Sequence, residues 1–302
     1  MGVHQTKELY RDGIGNDAIR RLVRTGELHR LRRGGYSDDD PTGDLEKHRS
    51  LIAATVPQLG TDAVLSHFTA GVLHGYAVPR SALAKVWISR NSNGGGHLGP
   101  ELHELKAAFL DSDVVEVGGH RATCAARTVI DMARRGTAAY GLAAADSALA
   151  AGVCAEELLE QIERWPGRPG MRRARLVAEL ANPLSESYGE SLSRLIIWRL
   201  GLPMPVLQYP VVGPHFYYRC DFAWPELGVL GEFDGRVKYD GSLEDSRTVA
   251  DVVMAEKRRE QDLRSLGWDV VRWGMDELGD PSQLRTRIEA AFRRAAASAL
   301  RL

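Results

Sequence analysis

Two neighbouring segments place acidic side chains where acids repel. YYRCDFAW (residues 217–224) and GVLGEFDG (228–235) both alternate in the manner of strands and are joined at Pro225 and Glu226. A hairpin centred between Glu226 and Leu227 sets Asp221 opposite Glu232. Residues directly opposite have Cβ atoms roughly 5 Å apart, and two carboxylates at that distance destabilise the pair unless a cation lies between them. A hard divalent cation, Mg²⁺ or Mn²⁺, takes a few carboxylate oxygens plus water and leaves room for a phosphate. The chemistry implied is metal-assisted phosphodiester hydrolysis. The same register gives Asp234 a counter-ion in Arg219 and gives none to Asp221 or Glu232. It also puts Tyr218, Cys220, Phe222, Val229, Gly231 and Phe233 together on the opposite face.

The flanking elements must hold that hairpin in place. The preceding segment LSESYGESLSRLIIWRLG reads as a helix with Glu186, Glu190 and Arg194 at i, i+4 and i+8, so a carboxylate from this stripe, Glu190, can complete the site. Lys238, six residues past Glu232, can reach back to neutralise developing charge or orient a water. Beyond it come a helix (SRTVADVVMAEKRREQDLRSLG), a strand (WDVVRW) and a final helix (PSQLRTRIEAAFRRAAASALRL). With strand VLQYPVVG, the third segment, 176–302, has the order α, three strands, α, strand, α.

The N-terminal segment, 1–45, reads as a winged helix-turn-helix. TKELYRDG is a short helix and GIGN a turn. NDAIRRLVRTG is a second helix, capped by Asn16 and stopped by Gly26, and ELHRLRRGGYS is a hairpin. Between Arg20 and Arg33, six arginines, Arg20, Arg21, Arg24, Arg30, Arg32 and Arg33, occur against one acid, Glu27. With Ile19, Leu22 and Val23 turned inward, the arginines suit a helix in a DNA major groove and a wing on phosphates. Residues 46–164 form an α+β middle domain. Its His67 and His74, seven apart on an apolar helix, fit packing or capping better than metal ligation, and Asp131 and Asp146 are structural. WPGRPGMRRAR (165–175) marks a boundary or a basic surface turn. The chain as a whole is therefore a multi-domain α/β protein.

Composition excludes several classes. The 302 residues carry 39 lysines and arginines against 40 acids, so basic surface must be local. No apolar run reaches a membrane span and the start has no secretory core, which points to a cytoplasmic protein with no membrane partner. Cys124, Cys154 and Cys220 are far apart, without CxxC, and are expected to be buried thiols.

The residues D-F-A-W-P-E…G-E-F-D-G-x-x-K-Y and the later E-K-R-R-E-Q-D-L-R-x-L-G-W-x-V-x-R resemble the very-short-patch-repair-like branch of the PD-(D/E)XK nucleases over about residues 180–280. The resemblance implies a restriction-endonuclease-like αβββαβ core. It implies Mg²⁺ held by acids at the end of the second strand and in the third, Asp221 and Glu232, with Glu190 of the first helix assisting. The superfamily's lysine two residues after the second acid is Asp234 here, and the repair endonucleases' histidines are absent, the last histidine being His215. Lys238 stands as the substitute. A-I-R-R-L-V-R-T-G-E-L-H-R-L-R-R-G-G-Y and S-H-F-T-A-G-V-L-H-G resemble the AbiEi family of antitoxins and transcription regulators, which implies DNA binding at a promoter and a cognate toxin or repair or defence protein as partner. Two expectations follow: a metal-dependent DNA endonuclease targeted by a winged helix, or a non-catalytic DNA-binding regulator on a nuclease fold. The acid pair favours the first, the missing lysine the second.

Overall fold

A computed structural model describes residues 2–91, 98–235 and 249–299. The chain divides into two units, Met1–Ala144 with Val153–Arg175, and Ala145–Gly152 with Leu176–Leu302. Both are mixed α/β, with three sheets among the described residues.

In the first unit, β1 (Val3–Gln5), α1 (Thr6–Arg11), α2 (Asn16–Thr25), β2 (His29–Arg32) and β3 (Gly35–Ser37) build a three-stranded antiparallel sheet of order β1-β3-β2 with two short helices. Leu9, Ile19 and Leu28 form its core, with Ile14, Leu22 and Tyr36 packed against them. Gly26 ends α2 in the left-handed conformation, at φ 78°, which a residue with a Cβ enters at a cost. Asn16 is not the cap: Gly15 precedes the first helical residue, and the Asn16 side chain instead accepts a 2.5 Å hydrogen bond from Tyr10 Oη. Val23, expected inside, is exposed, because the short helix α2 buries only the stripe through Ile19 and Leu22.

Next come α3 (Asp44–Thr55), β4 (Val64–Leu65), α4 (His67–Leu73), β5 (Val86–Arg90), β6 (Leu102–Lys106), β7 (Val114–Val117), β8 (His120–Thr123), α5 (Ala125–Arg135), α6 (Ala138–Ala150) and α7 (Ala155–Arg164). The five strands form one sheet of order β6-β5-β4-β8-β7, over a core of Leu51, Ile52, Leu65, Val86, Ile88 and Ala122. His67 is buried and its ring stacks on Trp87, with centroids 5.9 Å apart; burial lowers its pKa to about 4. His74 Nε2 lies 2.9 Å from the Thr123 carbonyl. Asp131 is buried between Arg127 (2.8 Å) and Arg134 (3.1 Å).

α8 (Met171–Leu180) starts inside the arginine-rich stretch, where Arg168 stacks over the Trp165 ring at 4.3 Å and Arg173 donates to the carbonyls of Ala133 and Arg134. Then follow α9 (Tyr188–Arg199), β9 (Val206–Val212), β10 (Tyr217–Trp224), β11 (Val229–Asp234), α10 (Val249–Ser265), β12 (Asp269–Gly274), α11 (Met275–Gly279) and α12 (Pro281–Ala299). The sheet order is β12-β11-β10-β9, antiparallel except for the parallel pair β11 and β12.

This sheet is buried on both faces. Ile196 and Ile197 of α9 and Leu284, Ile288 and Ala291 of α12 pack with Phe222, Val229 and Trp273. Leu263 of α10 packs with Cys220, Ala223, Leu230 and Val270. Two glycines allow the first set to close: a Cβ on Gly189 would lie 2.0 Å from the Phe233 ring, and one on Gly231 2.6 Å from the Trp273 ring. Of the cysteines, Cys220 is buried, Cys124 half-buried and Cys154 exposed. Cys154 departs from the expectation because it stands just before α7 as its cap, where its N–H donates to Glu157. Among the described residues no helix is long and apolar enough to cross a membrane.

Candidate active-site cleft

The hairpin register is the one its turn implies: Phe222 pairs with Gly231, Ala223 with Leu230 and Trp224 with Val229. Regular pairing stops there. In place of a further backbone bond, the Phe233 N–H donates to Asp221 Oδ2 at 2.9 Å. Asp221 and Glu232 thus line one cleft of about 480 Å³, together with Glu186, Ser187, Glu190, Arg219, Phe233, Asp234, Glu256, Arg259 and Arg272.

The side-chain alternation expected along β10 fails at Asp221. Cys220 belongs to the cluster beneath α10, whereas Phe222 belongs to the cluster beneath α9 and α12. The neighbouring strand breaks at the same level, with Tyr209 packed in the first cluster and Leu207 buried in the second. Between them Gln208 adopts a left-handed backbone at φ 49°. A side-chain-bearing residue rarely sits there, and such strain gathers at functional sites. Gln208 is absent from the sequence-derived site, since an isolated glutamine in a strand carries no pattern.

Glu190 sits in the first turn of α9, almost buried. Its carboxylate folds back over the cap of α9: Oε1 accepts from Ser187 Oγ at 2.8 Å, and Oε2 from the Glu186 N–H at 2.9 Å and from Gln208 Nε2 at 3.1 Å. The Ser187 hydroxyl in turn accepts from the Glu190 N–H. Glu186 therefore precedes the helix instead of starting a helical stripe. Arg194, the last member of that supposed stripe, is buried with Asp146, at 2.8 and 2.9 Å to its two oxygens. Ser191 Oγ and the Asn182 N–H also donate to Asp146.

Two expected pairings are corrected. Arg219 does not meet Asp234; its guanidinium lies 2.6 Å from Glu186, which the cap of α9 brings to the strand. Glu232 is not without a counter-ion. Arg272 Nε donates to Glu232 Oε2 at 3.0 Å, and Arg259 Nη2 lies 2.6 Å from Oε1. The parallel pairing of Glu232 with Arg272 across β11 and β12 delivers the first arginine, and α10 the second. Neither stood out in the sequence. Arg272 is the one basic residue in the strand DVVRW, a signal that could have marked it; Arg259 lies in a helix dense with charges.

In Asp221 the ionised form is disfavoured. Burial raises its pKa to about 6, with the charges of Glu190 and Glu232 adding to the rise, while the Phe233 N–H and Arg259 oppose it. Burial next to Glu232 similarly pushes the Cys220 thiol up to about 11. Glu232 Oε1 is buried without a hydrogen-bond donor of good geometry despite the nearby guanidinium. Lys238 lies outside the described residues. Of the arginines assigned to DNA, Arg20, Arg21, Arg24, Arg30 and Arg33 are exposed and Arg32 half-buried. Arg20, 3.7 Å from Asp17, and Arg30, whose Nε donates to the Arg32 carbonyl at 3.4 Å, have local partners.

No protein-family model matches the chain. The uncharacterized protein MT2308 of Mycobacterium tuberculosis strain CDC 1551 / Oshkosh is 30% identical over 276 residues, covering 90% of this chain and 95% of the relative. The uncharacterized protein Rv2248 of strain ATCC 25618 / H37Rv is similar to the same extent.

Proposed function

We propose that this chain, which belongs to the family of the mycobacterial proteins Rv2248 and MT2308, is a metal-dependent DNA endonuclease of the PD-(D/E)XK type that a winged helix directs to its substrate. The observation that carries this reading is the convergence of Asp221 and Glu232 on one cleft that also holds three guanidinium groups. Acids gather a cation; arginines gather phosphate.

The residues fit a hard cation. Asp221 is ionised only at a cost in its buried, acidic surroundings, so positive charge beside it relieves that cost, and Glu232 Oε1, held by Arg259 as an ion pair without a hydrogen bond, is the second oxygen on offer. Asp221 and Glu232 would hold Mg²⁺ or Mn²⁺, with water and a substrate phosphate as further ligands. When bound, the ion supplies Lewis-acid polarisation of the phosphate and an acidified water. Glu190, pinned by three donors, acts through its charge and by fixing the start of α9, instead of as a free ligand. Arg219, Arg259 and Arg272 draw a phosphodiester into the cleft and offset the charge that develops on it. Lys238 keeps its proposed role of orienting the water. The exposed arginines of α2 and the β2–β3 hairpin supply sequence-independent attraction to DNA.

A second reading rests on its own observation. Two arginines already neutralise Glu232, and no group of three or more His, Cys, Asp or Glu side chains among the described residues could hold a metal ion. That arrangement suits an AbiEi-like regulator, with a toxin or a repair or defence protein as partner, whose nuclease fold has lost activity. Supercoiled and single-stranded DNA incubated in Mg²⁺ or Mn²⁺ with the wild type and with Asp221→Ala separates the two. Cleavage by the wild type alone supports the nuclease; DNA binding by both proteins without cleavage leaves the regulator.

A further inference from the structure

The two arginines on Glu232 are held differently. Arg272 is fixed three ways: its backbone lies in the parallel ladder opposite Glu232, its Nε donates to Oε2, and its Nη1 reaches Glu260 Oε2 at 3.4 Å. Arg259 is fixed less well. It touches Glu232 Oε1 at 2.6 Å, yet that oxygen is buried with no hydrogen bond, and the Arg259 Nε is likewise buried with no acceptor. Its other contacts include Nη2 to the Arg219 carbonyl at 2.9 Å and to Cys220 Sγ at 4.0 Å, and its guanidinium over the Tyr218 ring at 5.3 Å.

Arg259 thus meets Glu232 Oε1 as an ion pair without a hydrogen bond, and its own Nε has no acceptor, at the wall of a cleft of about 480 Å³. A buried unmet donor is costly, and a phosphodiester offers what a guanidinium fork fits best, two oxygens at bidentate spacing. The oxygen that Arg259 would vacate, Glu232 Oε1, is one of those assigned to the cation.

We propose that Arg259 is an exchangeable counter-ion that competes with the metal for Glu232 and moves to a DNA phosphate when substrate enters, so that DNA and metal bind cooperatively. The inference rests on the metal-dependent reading of the cleft. Arg272 remains on Glu232 throughout and keeps the carboxylate aimed. Because coupling between two ligands is reciprocal, metal tightens DNA binding by the factor by which DNA tightens metal binding. Without DNA, the acids do not strip the ion from solution.

The test is calorimetric titration of the full chain with Mn²⁺, alone and with a short DNA duplex, for the wild type, Arg259→Gln and Arg259→Lys. To prevent turnover, the arm with DNA is repeated with Ca²⁺. The expected result is that Arg259→Gln binds Mn²⁺ about tenfold or more tighter than the wild type without DNA, Arg259→Lys resembles the wild type, and the duplex tightens metal binding to the wild type but not to Arg259→Gln. Equal affinity in the wild type and Arg259→Gln, or a duplex without effect on the wild type, overturns the coupling and leaves the metal site standing. Failure of all three proteins to bind either ion, with folding verified by circular dichroism, overturns the metal site and the coupling together.

Discussion

Replacing Asp221 by asparagine should make the metal-free protein more stable, an unusual outcome for a buried polar residue. Asparagine retains an oxygen to accept the Phe233 N–H and discards the charge. The carboxyl is raised from 3.8 to about 6, and at about 1.4 kcal/mol per pH unit this penalises the ionised fold by about 3 kcal/mol above pH 7. The weaker hydrogen bond to a neutral amide returns about 1 kcal/mol, leaving a net gain of roughly 2 kcal/mol. The sign follows from linkage. A carboxyl whose folded pKa is raised contributes stability that is complete below about pH 4 and is lost as pH climbs through about 6. Wild type and Asp221→Asn therefore converge near pH 4 and separate by pH 8. Urea-dependent hydrogen exchange on peptides from β10 and β11, in EDTA, reads the second unit separately from the first. A variant less stable than wild type at pH 8, or a difference that does not change with pH, would refute the reasoning.

Further consequences are open to measurement. Arg194→Met leaves Asp146 buried with its Ser191 and Asn182 donors but no cation. Urea unfolding should show a loss of about 3–5 kcal/mol, partly recovered by adding Asp146→Asn. Gly189→Ala forces a methyl into the Phe233 ring, so thermal melting should show a loss of about 1–3 kcal/mol or more, and Mn²⁺ affinity should fall because Phe233 adjoins Glu232. The double variant Arg20→Ala, Arg24→Ala should weaken duplex binding and reduce the slope of log affinity against log salt by about 2, as fluorescence anisotropy across a salt series can measure. An unchanged slope would remove these side chains from the DNA contact.

The third segment was largely legible because its signals are local. Alternation marked all four strands, and the short turn at Pro225 and Glu226 fixed the hairpin register by counting. What counting could not supply was tertiary register. Glu232 meets Arg272 through parallel pairing across forty residues, and meets Arg259 through the docking of α10, and neither distance is written in the spacing. The expected Arg219–Asp234 pair failed for a related reason. The cap at Ser187 turns Glu186 out of the helix and hands it to Arg219, so a local motif rewired a cross-strand pair. The fault in alternation at Asp221 depends on the backbone of Gln208 on the next strand, which no periodicity along β10 itself announces.

The account stands on a cation between Asp221 and Glu232, and anomalous diffraction from crystals of the full chain grown with Mn²⁺ and a short DNA duplex tests it most directly. The predicted result is a single strong peak within about 2.0–2.3 Å of an oxygen from each carboxylate, with Arg259 withdrawn from Glu232 Oε1 and Arg272 still on Oε2. Crystals that diffract well, show no peak in the cleft and keep both arginines on Glu232 would contradict it.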